Sequence, residues 1–268
     1  MPSNRTIPLL IRAMRPRQWT KNVLLLAGLF FSRQLLNGAS VLRALSGFAL
    51  FCLASGAVYL LNHILDAPRD RLNPRKARRP IASGALGAGP AMAASLALGG
   101  VAVAGSFWLS DPFGMCTLSY LLLMIGYCVA LKNAFLIDAL IVAMGFVIRA
   151  VAGVIVLRTP SLQVPLTVWF VVCVIFLSLF LALCKRRSEL TRLSSDAARF
   201  RPVLAQYSIE LLDQLGSMCA AGAVLSYTAR MKLTLQLRLL PDSEQRHLLL
   251  TTMEHFNAAA NYAARVGF

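Results

Sequence analysis

Acidic side chains are scarce in this chain of 268 residues, where 11 Asp and Glu stand against 27 Lys and Arg. Charged residues of both signs together make up only 14%, against roughly a quarter in an ordinary soluble domain. That is too little charge to clothe a water-soluble surface. Histidine is rarer still, with three copies, and none of the six cysteines stands in a C-x-x-C pair. A zinc centre, a thiol redox pair or a histidine general base therefore has little to build on. Cys52, Cys116, Cys128, Cys173, Cys184 and Cys219 lie mostly inside apolar stretches and read as small packing residues. The N-terminus is basic, with Arg5, Arg12, Arg15 and Arg17, but no small-residue cleavage site follows an apolar core. No cleavable signal peptide is expected.

What is abundant is hydrocarbon. Apolar residues make up 57% of the chain, and mean hydropathy is +0.66. Segments of bilayer length are read at 23–37, 41–62, 87–109, 113–131, 135–157, 164–184 and 209–229, each near the roughly 20 residues a helix needs to cross. The expectation is an all-α, polytopic transmembrane helical bundle of about seven spans. The first segment is short and broken by Arg33. Basic residues crowd alternate connections: Arg12 to Lys21, the run from Arg71 to Arg79, Lys132, and Lys185 to Arg201. The intervening connections hold only Arg33, Arg43 and Arg158. The rich side should be cytoplasmic, in a multi-pass protein of the cell inner membrane. Topology and a polyanionic substrate account for the net charge of +16, so no nucleic acid is expected.

One stretch departs from this apolar background. From Asn62 to Gly84 the chain reads N-H-I-L-D-A-P-R-D-R-L-N-P-R-K-A-R-R-P-I-A-S-G. Asn62, Asp66 and Asp70 recur every fourth residue and stack along one helix face over roughly 12 Å. Arg71, Arg75, Lys76, Arg78 and Arg79 follow at once. A row of oxygen ligands beside a basic run suits a divalent cation and the diphosphate it bridges. Mg2+ takes a few carboxylates and completes its shell with water and phosphate oxygens, and the basic residues neutralise the remaining phosphate charge. Carboxylates at the end of an apolar helix are costly unless they face an aqueous, functional space. His63 points about 100° away from Asn62 on such a helix and is read as a neighbour, not a ligand.

Arg149 sits inside the apolar segment G-F-V-I-R-A-V-A-G, Gly145 to Gly153. An intramembrane arginine is a functional-site candidate with an anionic partner. Asp138 is eleven residues away, or about 16 Å along one helix, too far for a direct pair. Another helix or a substrate phosphate is the expected partner. The segment Cys184 to Leu190 reads C-K-R-R-S-E-L. Cations at a helix C-terminus match the macrodipole and the positive-inside rule, which leave Glu189 unexplained.

The Asn-x3-Asp-x3-Asp row, the R-R-P-I-A-S-G after it, the L-K-N and G-F-V-I-R-A-V-A-G segments and the K-R-R-S-E-L run together resemble the UbiA-type polyprenyl transferase superfamily. The opening R-P-R-Q-W-T-K-N, Arg15 to Asn22, and the K-R-R-S-E-L run narrow this to its decaprenyl-phosphate phosphoribosyltransferases. One departure stands out: the family has Asp after the motif's Asn, where this chain has His63. The resemblance implies Mg2+-dependent transfer of phosphoribosyl from phosphoribosyl diphosphate to a polyprenyl phosphate in arabinan precursor synthesis, with diphosphate released. On that reading Asn62, Asp66 and Asp70 hold the metal, and Asp66 and Asp70 carry the catalytic charge. Lys21, Lys76 and Arg79 hold donor phosphates, and Tyr59 faces the same space. Tyr127, Lys132, Arg149, Lys185 and Arg186 line the donor or lipid-phosphate site, and the lipid tail lies between helices.

Two alternatives stay open. One is a prenyltransferase that moves the lipid from a polyprenyl diphosphate to an aromatic or other acceptor. That reaction goes with a second Asp-x3-Asp row, where this chain has K-R-R-S-E. The other is an inactive, truncated membrane remnant, since the superfamily has about nine spans and seven are read here. Residues 1–230 are the expected membrane domain. From Met231 the run M-K-L-T-L-Q-L-R-L-L alternates as a strand does, and Leu248 to Val266 has helical spacing. Residues 231–268 resemble the N-terminus of a TnpB-type transposon nuclease, which implies a foreign strand-helix tail outside the membrane.

Overall fold

The computed structural model describes residues 6–73, 76–160, 162–193, 204, 206–238 and 251. Its named elements are all helices, and one isolated bridge joins Thr159 and Leu162. The helices are α1 (Thr6–Met14), α2 (Val23–Phe31), α3 (Gly38–Arg71), α4 (Ala88–Leu109), α5 (Asp111–Val129), α6 (Ile137–Ile155), α7 (Val168–Leu193) and α8 (Ile209–Arg238). Short 3₁₀ segments, Pro16–Asn22 and Leu131–Asn133, precede α2 and α6.

Local chemistry sets the helix starts. The Asn37 side chain accepts from the backbone N–H groups of Ala39 and Ser40, satisfying two orphan donors of α3. Ser110 caps α5 by accepting from the Phe113 N–H, with Asp111 in the first turn and Pro112 beside it. Pro68 lies inside α3, close to its end. The helix continues past it for one turn, enough to carry Asp70.

Five helices, α3 to α7, are long and apolar enough to cross a membrane, and the chain is a multi-pass membrane protein. Among the described residues, the other two expected segments, 23–37 and 209–229, differ from these five. Segment 23–37 contains a helix of only nine residues, about 13 Å long, because Arg33 takes a positive φ of 57° and the chain turns. Segment 209–229 lies within α8, which has 30 residues, but Glu210, Asp213 and Gln214 in its first two turns lower its hydropathy below that of the other five. The strand expected from Met231 does not form, since residues 231–238 continue α8. Alternation of apolar and polar residues is a weak signal beside the continuation of a helix already nucleated. Apart from Thr251, the rest of the tail lies outside the described residues.

Consecutive helices pack side by side: α3 on α4, α4 on α5, α5 on α6, α6 on α7 and α7 on α8, with α2 held between α3 and α6. The central core joins Leu25, Phe51, Phe113, Tyr120, Val156 and Leu157. The Phe51 ring lies 5.7 Å from that of Phe113 and 5.5 Å from that of Tyr120. Apolar side chains such as Trp108, Leu122, Leu96 and Val101 point outward, as expected of lipid-facing positions. At the end remote from the carboxylate row, Arg43 donates to the carbonyls of Val156 and Leu109 and ties three helices together.

The α2–α6 crossing is the tightest in the bundle. A Cβ on Gly28 would overlap the Gly153 carbonyl, and one on Gly153 would overlap the Leu25 carbonyl. Backbones at this distance need glycine on both sides, as at small-residue crossings in membranes. Gly153→Ala should push α2 off α6 at a cost of about 1–3 kcal/mol. A thermal unfolding midpoint in detergent several degrees below wild type is expected, and an unchanged midpoint would show that the crossing relaxes freely.

Candidate functional site

The up-and-down course of the helices brings the C-terminal ends of α3, α5 and α7 to the same end of the bundle as the N-terminal ends of α4, α6 and α8. The site is built there. Asn62, Asp66 and Asp70 lie on the last three turns of α3. Asp70 is buried, and its Oδ2 accepts from Arg79 at 2.5 Å. Arg79 comes from the turn that follows α3, where the Ser83 N–H bonds to the Arg79 carbonyl and Gly84 takes a φ of +79°. Asp66 accepts from Lys132 Nζ at 2.6 Å, a contact 66 residues apart in sequence. Asn62 is half-buried. His63 is buried with no hydrogen-bond partner on either ring nitrogen.

The carboxylates therefore meet cations brought by two different connections. Among the described residues no three His, Cys, Asp or Glu side chains cluster as a metal cage. Two carboxylates and an amide are nonetheless what Mg2+ takes from protein when its remaining ligands are substrate phosphates and water. The residues present fit a metal that arrives with a diphosphate.

A group of cations adjoins the row, with Arg15 close enough to Arg79 and Asp70 to feel their charge. The Arg15 guanidinium lies over the Tyr59 ring, 5.8 Å from its centroid. Burial and the neighbouring Arg79 lower the Arg15 pKa, partly offset by Tyr59 and Asp70. Burial, then Lys185, Arg149 and Arg15, push the Lys21 ammonium down to about 8. Four cations from the N-terminal arm, α6 and α7 thus share one region. Lys185 is exposed and 3.9 Å from Glu189. Lys76 is exposed on the turn after α3, and Tyr127 is half-buried on the last turn of α5, near Arg186.

Two further expected site residues, Arg149 and Arg186, are buried in networks of their own. Arg149 is buried and donates from Nε to Asn22 Oδ1 at 2.8 Å, from NH1 to the Gly145 carbonyl at 2.9 Å and from NH2 to Tyr120 Oη at 2.7 Å. Its guanidinium lies over the rings of Tyr120 and Phe146. Asn22 in turn donates to Ser55 and Cys52 of α3, so Arg149 joins the N-terminal arm, α3, α5 and α6. Arg186 is buried, with Nε 2.6 Å from Asp138 Oδ2 and NH1 3.1 Å from Glu189. Asp138 is fully buried, and its other oxygen accepts from Tyr207 Oη at 2.7 Å. Removing one partner of such a pair leaves a buried charge and costs about 3–5 kcal/mol. Glu189, unexplained by topology, completes this network. Burial, with Asp138 beside the hydroxyl, raises the Tyr207 pKa.

Sequence reading passed over Arg15, Asn22, Tyr120 and Tyr207 as site residues. Arg15 and Asn22 are the first and last residues of the R-P-R-Q-W-T-K-N run, so a local signal lay beside both. Tyr120 and Tyr207 carry no local signal, because each matters only through a partner on another helix.

Residues 22–232 match the model of the UbiA prenyltransferase family. The chain is 35% identical over 233 residues to the decaprenyl-phosphate phosphoribosyltransferase of Mycolicibacterium smegmatis, covering 84% of this chain and 71% of that one. It is 34% identical over 222 residues to the Corynebacterium glutamicum protein of the same name, covering 81% and 65%. The chain thus spans about two thirds of the length of these relatives. The fold is similar to that of a UbiA homolog from Archaeoglobus fulgidus bound to GPP and Mg2+, with a TM-score of 0.68, 18% identity and coverage of 82% and 77%. A structure of digeranylgeranylglyceryl phosphate synthase gives 0.69, 16%, 86% and 79%. With the family match, the sequence relatives and the fold in agreement, the chain belongs to the UbiA prenyltransferase family.

Proposed function

We propose that this chain transfers a 5-phosphoribosyl group from phosphoribosyl diphosphate to a polyprenyl phosphate of the decaprenyl type, releasing diphosphate, in a Mg2+-dependent step of cell-wall arabinan precursor synthesis. The observation that carries this reading is the charge layout at one end of the bundle. The carboxylate row on α3 and the coupled cations Arg15, Lys21 and Lys185 lie at the same end, where transfer from a polyprenyl diphosphate would favour a second carboxylate row. Cations there suit an acceptor that is itself a phosphate.

In the transfer, an ionised oxygen of the lipid phosphate attacks ribosyl C1. The C1–O bond to diphosphate breaks, and diphosphate leaves with the bonding pair. No proton has to move, so no histidine base is needed. Asn62, Asp66 and Asp70 would hold Mg2+, which would supply charge neutralisation on the leaving diphosphate. Arg79 and Lys132 restrain Asp70 and Asp66 in position and add fixed positive charge beside the leaving group. Lys76 reaches donor phosphates from the turn after α3, and Lys21 from the N-terminal arm. Lys185 and Tyr127 line the lipid-phosphate side. Arg149 and Arg186, engaged by Asn22, Tyr120, Asp138 and Glu189, act through their field and by holding the walls in place. The polyprenyl tail lies between helices, and the site opens to the cytoplasmic side of the inner membrane.

Membranes containing the protein, incubated with labelled phosphoribosyl diphosphate and decaprenyl phosphate, should yield lipid-soluble label. Label that stays in water overturns the reading in favour of lipid transfer from a polyprenyl diphosphate, or of an inactive remnant. Asp66→Ala should lower transfer by more than about a hundredfold, beyond what outer-shell partners of a metal are worth, while the protein still elutes as a folded species in detergent. Wild-type rates in that variant would remove Asp66 from the site.

Lys21 should print a pH signature. With its pKa near 8, the ammonium is charged below that value and neutral above it. The KM for phosphoribosyl diphosphate is expected to be flat on the acid side and to rise as pH passes through about 8. Lys21→Arg stays charged at every working pH and should flatten that rise. An unaltered alkaline rise in Lys21→Arg excludes Lys21 from donor binding.

Orientation has its own check. Ser83 is exposed on the turn that carries Arg79. In Ser83→Cys, a membrane-impermeant thiol reagent should modify the peptide containing residue 83 only in inside-out vesicles. Modification in right-side-out cells would invert the topology.

A further inference from the structure

A strained stretch of backbone lies four residues after Lys132. Leu136 has φ 60° and ψ −35°, which puts a branched side chain outside the left-handed helical region as well as the ordinary ones. The Ile137 N–H bonds back to the Phe135 carbonyl at 2.7 Å, closing a three-residue γ-turn of the rare positive-φ kind. Such a turn persists only where its surroundings over-determine it. Here one side chain does most of this. The Leu136 N–H donates to Tyr207 Oη at 3.1 Å, and the same hydroxyl donates to Asp138 Oδ1 at 2.7 Å. The Tyr207 ring packs on Phe135, with centroids 4.8 Å apart. Asp138 is locked from its other side by Arg186. Tyr207 therefore grips residues 135, 136 and 138 at once, from the start of α8.

The turn sits between α6 and the 3₁₀ segment Leu131–Asn133, whose Lys132 pairs with Asp66. We propose that Tyr207 is a positioning residue for the metal and donor site, acting through the Leu136 turn to hold Lys132 against Asp66. The inference rests on the reading of Asp66 as a metal ligand and extends it to a residue of α8's first approach that touches neither metal nor substrate.

Tyr207→Phe keeps the ring against Phe135 and removes only the hydroxyl. The expected result is a rise of about tenfold in the KM for phosphoribosyl diphosphate and in the Mg2+ concentration for half-maximal rate, the scale of an outer-shell partner. The KM for decaprenyl phosphate should stay as in wild type. Leu136→Gly supplies the second arm, because glycine takes this conformation without side-chain strain. Combined with Tyr207→Phe it should restore the donor and Mg2+ constants. Unchanged constants in Tyr207→Phe overturn the proposal. So does a loss confined to kcat and unfolding midpoint that Leu136→Gly fails to restore, which marks a merely structural hydroxyl. The same variants are compared by Mn2+ electron paramagnetic resonance with inorganic diphosphate. If wild type shows no transfer but binds Mn2+ with diphosphate, the transferase reading fails, and about tenfold weaker binding in Tyr207→Phe still supports positioning. Equal binding in the two, or none in wild type, overturns it.

Discussion

The pairing of α3's carboxylates with cations from other segments is the constraint on which the rest of this structure depends. Asp66 and Asp70 stand at the end of a helix whose preceding turns are hydrocarbon. A charge there must be solvated, paired or bound to a ligand. Lys132 and Arg79 provide the pairing, which requires the connection after α5 and the turn after α3 to fold back over the end of α3. Once they do, the apolar faces of α3 to α6 are in register, and the remaining basic segments converge on the same end.

The opposite imbalance gives the site its chemistry. Burial, reinforced by repulsion from Lys185, Arg149 and Arg15, depresses the Lys21 ammonium. The neutral partners of Arg149, the Asn22 amide, the Gly145 carbonyl and the Tyr120 hydroxyl, solvate its charge without cancelling it. A region arranged in this way favours an incoming polyanion, and its field is strongest where water is excluded. The carboxylates of α3 and these cations share one end of the bundle, and the proposed transfer between two phosphate-bearing reactants rests on that layout.

Much of this was legible in the residues. Hydropathy located the five crossing helices, α4 to α6 to within two residues at each end. Helices α3 and α7 run nine residues past the apolar segments read for them, because their last turns are polar and hydrocarbon length is a coarse signal. The spacing of Asn62, Asp66 and Asp70 placed them on one helix face. The first segment was read as short and broken by Arg33, and the chain does turn there after a nine-residue helix. The strand expected after Met231 failed, since period-two alternation over ten residues competes poorly with a helix entering from Ile209.

By itself the sequence determined the class of the molecule, the helix that carries the carboxylates and the side on which the basic segments gather, because each depends on composition or on spacing within one element. Only the tertiary structure decided which cation meets which carboxylate. Lys132 to Asp66, Arg186 to Asp138 and Tyr207 to Leu136 join residues 66, 48 and 71 positions apart. No local periodicity encodes such separations. They follow from the packing of helices whose apolar faces specify that they meet, while the charges buried at their ends specify how.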